Sequence, residues 1–302
     1  IQYANSGFEG LNAKLDENGD IIIFRLEENA KRFQSTCKRL GLPVMEVETF
    51  IEAIKSLALA NQEYIGPDNS LYIRPYMMGG EGGCGIKNAK TAMFGAMAFP
   101  YGNYLGDKEK KLKVVSNSKF TRCGPGGIGD IKGSANYSGT SDLKSKANEG
   151  NFPGHEGEEF DDVMYFSEDG KLDEMTSSNV FCIKGNTLYT PPLNRKTILP
   201  GITRDTVLEI AEEMGLEVRV TELTFNLMKL MDGCFVSGSA AGIVNVGALT
   251  RDNNTHQFTG SKHFFPLYDE IKGLRCGRRS DKIKTPDHWF TRIPVSKDLS
   301  SK

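Results

Sequence analysis

The sequence predicts an α+β protein whose mixed helices and strands form two domains. Its 302 residues suggest either two domains or one large one. Apolar residues recur at helical spacing in 26–40, whereas polar and apolar residues alternate in 71–78, as they do along a half-buried strand. A segment rich in glycine, proline and tyrosine follows residue 99 and interrupts both patterns. We therefore predict a first domain over 1–101, a linker over 102–112 and a second domain over 113–302.

Composition excludes several classes of partner. The net charge of −2 gives no basic field that would attract nucleic acid or an anionic membrane. No apolar run is long enough to span a membrane. The cysteines and histidines show no zinc-ligand spacing, so we expect no metal site and free thiols in a reducing compartment. Any targeting segment would lie upstream of Ile1, and we predict a cytoplasmic or mitochondrial protein.

The first predicted helix, over 27–40, has a continuous apolar face and ends at Gly41. The face consists of Leu26, Ala30, Phe33, Cys37 and Leu40. Arg32 lies beside this face rather than in it. Around the helix we predict strands over 1–5, 20–25, 71–78 and 92–99 and a second helix over 49–61.

The strand over 71–78 places Tyr72, Arg74 and Tyr76 on one face, because strand side chains alternate. Such a face is either solvated surface or a wall that binds carboxylates, since a guanidinium group pairs with a carboxylate through two hydrogen bonds. Both interpretations stay open at this point. Pro75 predicts either an edge position or an irregularity in the strand.

The second domain is predicted to be rich in strands. A helix opens near Thr203 and runs to Met214, and its start is either a plain cap or an anion site, because unpaired N–H groups point outward there. We interpret the polar and acidic segment 138–160 as a solvated loop. Strands are predicted over 112–116, 163–166, 179–183, 218–223 and 243–248, a further strand starts at 234, and a last helix covers 267–274.

The segment 126–137 is the best candidate for chemistry. It places Lys132 among small residues, with Tyr137 five positions later. Glycine-rich backbone approaches a flat ligand closely, and a lysine becomes a nucleophile when desolvation or a nearby positive group lowers its pKa. The alternative is a glycine-rich surface loop with a solvated lysine. GxGxxG matches at 80–85 and 124–129 indicate a dinucleotide site only weakly, because neither precedes an amphipathic helix.

Taken together, several motifs in order make the sequence similar to the branched-chain amino-acid aminotransferases. The motifs are Tyr72-Ile73-Arg74-Pro75, Gly129-Asp130 with Lys132 and Asn136-Tyr137, the spacing from Glu174 to Asn179, Thr190-Pro191-Pro192, Leu199 to Arg204, and Ser237-Gly238-Ser239-Ala240. The similarity covers nearly the whole chain. It implies a class IV aminotransferase of fold type IV that uses pyridoxal 5′-phosphate, with a smaller N-terminal α/β domain and a larger C-terminal pseudo-barrel domain. It also implies a homodimer that transfers the amino group of L-leucine, L-isoleucine or L-valine to 2-oxoglutarate, which yields glutamate.

The resemblance implies a role for each cofactor-binding residue. Lys132 would carry the cofactor as a Schiff base and move the proton at the substrate Cα. Glu174 would keep the pyridine nitrogen protonated, which makes the ring an electron sink. Tyr137 would bind the phenolic oxygen. The phosphate would be held by Arg32, the amides of Ile202 and Thr203, and Ser239.

The resemblance also implies a substrate pocket with a polar and an apolar side. Tyr72 and Arg74 would meet substrate carboxylates, Arg74 chiefly the side-chain carboxylate of glutamate or 2-oxoglutarate. The apolar wall would consist of Phe8, Tyr104 and Ala240, with Tyr3 and Ile86 contributed by the partner subunit.

The sequence departs from the family in two places. The family's N-terminal region does not precede Ile1, so we expect an incomplete small domain, and the segment 138–144 is polar where the family has a helix. Three alternatives remain. They are another type IV enzyme such as a D-amino-acid or R-amine aminotransferase, a nucleotide-binding oxidoreductase, and an inactive relative that only binds the cofactor or a partner.

Overall fold

A computed structural model describes residues 3, 5–66, 69–80, 86–102, 109–281 and 283–295 of the chain. Contacts divide the chain into two units. Unit 1 comprises Ile1–Tyr104 together with Lys272–Lys302, and unit 2 comprises Leu105–Ile271. Both units contain helices and strands, which confirms the predicted α+β class. Within the described ranges, no helix is both long enough and apolar enough to cross a membrane.

The helices and strands follow one another in this order. Residues up to 101 form β1 (Ser6–Phe8), β2 (Leu11–Leu15), β3 (Ile21–Phe24), α1 (Leu26–Arg39), α2 (Val47–Ala60), β4 (Ser70–Gly79) and β5 (Ala92–Tyr101). Then come β6 (Lys111–Ser116), α3 (Ala135–Asn148), β7 (Asp162–Phe166), β8 (Leu172–Met175), β9 (Asn179–Lys184), β10 (Thr187–Thr190), α4 (Ile202–Glu213) and β11 (Glu217–Val220). The last are α5 (Phe225–Met228), β12 (Gly233–Gly238), β13 (Gly242–Arg251), β14 (Asn254–Gln257), α6 (Phe264–Arg275) and β15 (Phe290–Ile293).

An antiparallel sheet in the order β1-β4-β2-β3-β15, with β5 beside β4, forms the centre of unit 1. Helices α1 and α2 bury their apolar faces in the same core as this sheet. The ring centres of Phe33 and Phe50 lie 5.0 Å apart in this core. The predicted face of α1 is buried except for Leu40, which is half-buried, and Arg32 is buried as well.

Strand β4 has the two faces that its sequence predicts. Ile73 and Met77 point into the core, whereas Tyr72 and Arg74 are half-buried on the opposite face. β4 is an interior strand, because β5 pairs with one side of it and β1 and β2 with the other. Pro75 lies where the β1 pairing stops and the β2 pairing begins, so it marks an irregularity and not an edge.

The sheet of unit 2 has the order β11-β10-β9-β12-β13-β6-β7-β8, with β14 beside β13. Strand β6 is parallel to both of its neighbours, β13 and β7, and β12 is antiparallel to β9 and β13. One apolar cluster includes residues of β6, β8, β9, β12 and β13. A second cluster joins α3 to β7 and the end of β6.

The expectation of a loop over the whole of 138–160 is wrong for its first half. Helix α3 continues to Asn148, with its buried residues at helical spacing. These are Asn136, Thr140, Leu143 and Ala147. Two of the four are polar, so the stripe is not visible as an apolar pattern. Packing of Leu143 and Ala147 against Phe152, Phe160 and Val163 outweighs the weak helix propensity of the segment.

The C-terminal segment adds a strand to unit 1. β15 pairs antiparallel with β3, from Phe290 opposite Phe24 to Ile293 opposite Ile21. Residues 272–302 therefore group with unit 1, whereas the boundaries predicted from the sequence placed them in a second domain over 113–302.

Candidate active site

The segment between β6 and α3 places Lys132 next to Tyr137. The Nζ atom of Lys132 lies 3.1 Å from the Tyr137 hydroxyl and 5.3 Å from the centre of the same ring. Asn136 fixes this approach, because its side-chain amide donates to the carbonyls of Ile128 at 2.6 Å and Ile131 at 2.9 Å. The two residues thus lie together, both half-buried, where α3 begins.

Gly129 lets this segment pass directly against a second stretch of backbone. A Cβ atom at this position would lie 2.5 Å from the carbonyl oxygen of Thr197 and 2.6 Å from its carbonyl carbon. Backbone cannot move aside as the end of a flexible side chain can. Any larger residue at 129 would therefore displace the segment that carries Lys132.

Glu174 is a buried carboxylate on β8 with several partners. It pairs with Arg122 at 2.9 Å and accepts from the Leu199 N–H at 3.2 Å and the Asn179 side-chain amide at 2.8 Å. Burial raises the pKa of the Glu174 carboxyl, and Arg122, the Leu199 N–H and Lys132 oppose that rise. Ionisation of this carboxyl therefore depends on the positive charges around it.

Sequence reasoning missed Arg122. Its side chain is 1% exposed, and besides Glu174 it donates to the carbonyl of Thr197 at 3.1 Å. It lies in an irregular segment with no periodicity, and its acidic partner is on a distant strand. A basic residue shortly before the glycine-rich stretch was the only local signal.

Asn179 connects Glu174 to the start of α4. Its side-chain amide also donates to the carbonyl of Leu199 at 2.9 Å. Gly201 is the N-cap of α4, and a Cβ atom there would overlap the Asn179 side-chain oxygen. No side chain caps α4 in the described structure. The first-turn amides, which include those of Ile202 and Thr203, thus have the geometry that binds anions.

The turn between β12 and β13 contains the predicted residues Ser239 and Ala240, both half-buried. Ser237, at the end of β12, is the register partner of Asn179 on β9. The turn therefore follows the part of β12 that pairs with Asn179. Unit 2 thus contains the pair of Lys132 and Tyr137, the Glu174 carboxylate connected through Asn179 to the start of α4, and the turn that follows the strand paired with Asn179.

Unit 1 separately holds Arg32 in a buried ion pair. The Arg32 guanidinium donates to both carboxylate oxygens of Glu9 at 2.8 Å, and the Glu9 side chain is fully buried. The Gly10 N–H donates to the same carboxylate at 3.2 Å. Glu9 therefore sets the orientation of Arg32, a function that the sequence did not reveal because the two residues lie on different elements.

Unit 1 also brings three of the predicted substrate-binding residues together. Arg74 donates to the Tyr72 hydroxyl at 2.6 Å, and its guanidinium lies 4.5 Å from the centre of the Phe8 ring. A Cβ atom at Gly10 would overlap the Tyr72 hydroxyl, so glycine leaves room for that group. Arg74 is thus held between a hydroxyl and an aromatic face.

Two other predicted pocket residues are exposed in the single chain, and a third cannot be placed. Tyr3 is 53% exposed and Ile86 is 90% exposed. Tyr104 lies outside the described residues. Among the described residues, no group of three or more metal-ligating side chains occurs.

Comparison with known proteins identifies the family. A model of the class IV amino-transferases matches residues 154–249. A mitochondrial branched-chain amino acid aminotransferase from Humulus lupulus is 32% identical over 93% of this chain and 71% of the relative. A chloroplastic one from Arabidopsis thaliana is 32% identical over 94% and 68%. The chain belongs to the branched-chain amino-acid aminotransferase family. Another member, a methionine aminotransferase from Arabidopsis thaliana, is 32% identical over 93% of this chain and 78% of the relative.

Solved structures agree with this assignment to the branched-chain aminotransferases. The Escherichia coli branched-chain aminotransferase superposes with a TM-score of 0.80 at 26% identity, over 95% of this chain and 90% of that chain. The T.th. branched-chain aminotransferase with pyridoxamine 5′-phosphate gives a TM-score of 0.80 at 26% identity, over 95% and 89%. The predicted fold type IV is confirmed, and pyridoxal 5′-phosphate is the cofactor of this class of aminotransferase.

The donor set of unit 2 fits that cofactor. Pyridoxal phosphate presents an aldehyde, a phenolic oxygen, a pyridine nitrogen and a phosphate. Unit 2 offers the amine of Lys132 beside the hydroxyl of Tyr137, the buried carboxylate of Glu174 and the uncapped start of α4. Each group of the cofactor thus has a chemically matched partner within one unit.

Proposed function

We propose that this protein is a transaminase that moves the amino group of leucine, isoleucine or valine to 2-oxoglutarate, with Lys132 as its catalytic residue. The observation that carries the proposal is that unit 2 holds both the hydrogen-bonded pair of Lys132 and Tyr137 and the buried Glu174 carboxylate, which Asn179 connects to the segment at the start of α4. When bound, pyridoxal phosphate supplies the electron sink that stabilises negative charge at the substrate Cα. The amine of Lys132 holds the cofactor and moves the proton at that carbon.

Glu174 has the task of keeping a positive charge on the pyridine nitrogen. A carboxylate can do this only while it is ionised, and burial alone opposes ionisation. Arg122 and the Leu199 N–H stabilise the anion. The Tyr137 hydroxyl orients the cofactor ring by binding the phenolic oxygen of the cofactor. It also lies 3.1 Å from the Lys132 amine and helps to hold that amine in place.

The phosphate is assigned to the start of α4 and to the turn after β12. The amides of Ile202 and Thr203 supply the helix N-terminus, and the hydroxyl of Ser239 supplies a further donor. We assign Arg32 to the same phosphate, since a guanidinium group matches phosphate oxygens in pairs. Its bidentate pair with Glu9 supports a fixed orientation for this task.

The substrate side chain is assigned to Arg74, Tyr72 and Phe8. When the substrate is glutamate or 2-oxoglutarate, Arg74 leaves its tyrosine partner to pair with the second carboxylate. When the substrate is leucine, Arg74 keeps the Tyr72 hydrogen bond and stays against the Phe8 ring, so its guanidinium group retains polar and aromatic partners. Ala240 and Tyr104 complete the apolar wall.

We also propose that the active form is a homodimer in which Tyr3 and Ile86 enter the pocket of the partner subunit. Their exposure in a single chain supports this, because both side chains are largely apolar. Met97 and Phe99 on β5 are exposed as well, and contact with a second chain would remove these apolar side chains from water. The compartment is proposed to be cytoplasmic or mitochondrial, and relatives include mitochondrial and chloroplastic forms.

A coupled assay of glutamate formation from 2-oxoglutarate tests the proposal. Lys132→Ala should lower turnover of L-leucine by at least about a thousandfold, since both the covalent attachment and the proton transfer are lost. Lys119→Ala, which removes an exposed lysine of the same segment, is the matched control and should turn over normally. Full turnover in Lys132→Ala would contradict the proposal.

The same assay decides the amino-acid class. L-isoleucine, L-valine and L-methionine should be compared with L-leucine, because one relative is named for methionine. Faster turnover of methionine than of all three branched-chain amino acids would indicate that methionine is the preferred substrate. Turnover of D-alanine without L-leucine would instead indicate a D-amino-acid aminotransferase.

A further inference from the structure

Lys14 on β2 and Cys276 directly after α6 form a pair of nucleophilic side chains that the proposed function does not use. The Nζ atom of Lys14 donates to the Cys276 sulfur at 3.8 Å, although the two residues are 262 positions apart in the chain. Both side chains are half-buried, and both residues belong to unit 1. The tertiary fold of unit 1 therefore brings an amine against a thiol.

The turn that ends α6 fixes the position of Cys276. The Arg278 N–H donates to the Gly273 carbonyl at 3.0 Å, and Gly277 has φ +74°, a conformation that favours glycine at the end of a helix. A Cβ atom at Gly277 would lie 3.2 Å from the Ile22 side chain of β3. The turn is therefore closed by its own backbone and packs directly on the sheet of unit 1.

An arginine of β15 connects this turn to the end of β2. Arg292 donates to the Gly277 carbonyl at 3.2 Å and pairs with Asp16. Asp16 follows Lys14 by two positions, and Gly277 follows Cys276 by one. The segments on both sides of the contact thus share one partner, so the fold itself holds the amine and the thiol near each other.

Cys276 is more accessible to a small oxidant than the cysteines of the cores. Cys37, Cys182 and Cys234 are buried, and burial raises the pKa of the Cys37 thiol to about 12. Buried thiols of this kind react poorly, because the thiolate is the nucleophile. Cys123 is half-buried like Cys276, but its sulfur lies against a backbone carbonyl and not against an amine. Cys123 is therefore the matched control.

The Lys14 amine is in surroundings that favour its uncharged form. Burial lowers the pKa of this amine, Cys276 opposes that fall, and the positive charges of Arg275 and Lys272 reinforce it. Both of these basic residues lie in the last turn of α6. The uncharged amine is the form that attacks an electrophilic atom, so more of the amine is available as a nucleophile.

We propose that Lys14 and Cys276 form a redox-dependent cross-linking site, where hydrogen peroxide converts their contact into a sulfenamide bond. The Cys276 thiolate attacks one oxygen of the peroxide and the O–O bond breaks. The released hydroxide takes a proton from the Lys14 ammonium, which leaves a sulfenic acid, a free amine and water. The amine then attacks the sulfur and displaces hydroxide, which takes a proton from the nitrogen and leaves as a second water. The sulfur gives up two electrons, and the peroxide accepts them.

The bond ties the turn after α6 covalently to β2. It closes a loop that contains most of the chain, and a cross-link over a long loop restricts the unfolded chain strongly. β15 lies after this turn and pairs with β3, so the link retains the C-terminal strand on the sheet of unit 1. Dithiothreitol reverses the reaction, because its thiolate attacks the sulfur and releases the amine.

The test treats the purified full chain with a small excess of hydrogen peroxide and maps its peptides by mass spectrometry. A species that lacks two hydrogen atoms should appear, in which the peptides of Lys14 and Cys276 are joined, and dithiothreitol should remove it. Lys14→Arg keeps the charge but replaces the amine by a weakly nucleophilic guanidinium group, and Cys276→Ser removes the sulfur. Neither variant should form the link, whereas Cys123→Ser should form it as fully as the wild type.

Urea denaturation gives a second readout. Peroxide-treated wild-type protein should unfold at a higher urea concentration than the reduced protein, because the link restricts the unfolded chain. Dithiothreitol should abolish the difference, and Lys14→Arg should not show it.

Oxidation of Cys276 to a sulfinic or sulfonic acid with Lys14 unmodified would overturn the inference, and so would a disulfide from Cys276 to another cysteine. An unmodified Cys276 under conditions that oxidise Cys123 would do the same. A linked protein that unfolds at the urea concentration of the reduced protein would overturn the proposed retention of β15. The peptide map of the wild-type protein decides whether the link forms, even where a variant does not fold.

Discussion

Two buried ion pairs, one in each unit, each hold a residue that is assigned to the cofactor. Arg122 holds Glu174 in unit 2, and Glu9 holds Arg32 in unit 1. Breaking such a pair leaves an uncompensated charge in a medium of low polarity. We therefore expect Arg122 and Glu9 to matter for folding as well as for the orientation of their partners.

Replacement of Arg122 by methionine tests the pair in unit 2. The variant keeps the length of the side chain and leaves Glu174 buried without its cation, which should lower the free energy of unfolding by about 3–5 kcal/mol. Urea denaturation of the apoprotein measures this. Arg219→Met, which breaks an exposed pair with Glu217, should change stability little. Equal stability of both variants would mean that Arg122 does not hold Glu174.

The candidate site was predictable where residues follow one another in the chain. Lys132 and Tyr137 are five positions apart, and the helix that begins between them fixes their contact. Arg122 and Glu9 were not predictable, because each acts on a partner that only the tertiary fold brings near. A single charged residue in an irregular segment shows no periodicity, so its local sequence does not distinguish it from a solvated residue.

At the level of elements, periodic helices and apolar strands were predictable, including short strands such as β3, β7 and β9, whereas β8 and α3 were not. Helices α1, α2 and α4 and the strands β4 and β13 carry enough residues to show their period. β8 has four residues, Leu-Asp-Glu-Met, and all are buried. Two carboxylates in a buried strand contradict the usual pattern, and one of them, Glu174, is the residue proposed to bind the cofactor ring.

Helix α3 is long but was not predicted, because polar residues occupy half of its buried stripe. Gly139 lies on its exposed side, and no atom lies within 4 Å of the position that its Cβ would take. Gly139→Ala should therefore raise the free energy of unfolding by about 0.5–1 kcal/mol, through the higher helix propensity of alanine.

Gly150→Ala is the matched control for this helix. Gly150 follows α3 with φ +70°, a conformation that strains residues with a Cβ, so this substitution should destabilise the protein. Chemical denaturation of both variants makes the comparison. A loss of stability in Gly139→Ala would contradict the helical assignment of residues 138–148.

At the scale of the whole molecule, the two units divide the proposed roles. Unit 2 holds Lys132, Tyr137 and Glu174, and unit 1 holds Arg32, Tyr72 and Arg74. The C-terminal strand β15 joins unit 1 through β3. Its four residues gave no strand signal in the sequence, and the pairing joins segments far apart in the chain.

If the proposed dimer is correct, two defective variants should complement each other in a mixed dimer. Ile86→Asp should raise KM for leucine, since each pocket then receives a charged residue from its partner, and Lys132→Ala should be inactive. A mixed dimer contains one pocket with an intact Lys132 and an intact Ile86. Mixing the two variants under conditions that exchange subunits should therefore restore part of the wild-type activity.

Sedimentation of the wild-type protein provides the control for this mixing experiment. A dimer is expected. A monomer with full activity, or a dimer whose mixed variants recover no activity, would contradict the assignment of Ile86 to the pocket of the partner subunit.

The most direct test of the central claim is the visible absorption spectrum of the purified protein with pyridoxal phosphate, recorded before and after addition of L-leucine. With Lys132 as the cofactor-binding lysine, a visible band should appear that is absent in Lys132→Ala and that bleaches when L-leucine is added. Such a result would report cofactor binding, attachment to Lys132 and the first half of amino-group transfer together. A protein that develops no band, or a band that L-leucine leaves unchanged, would contradict the account.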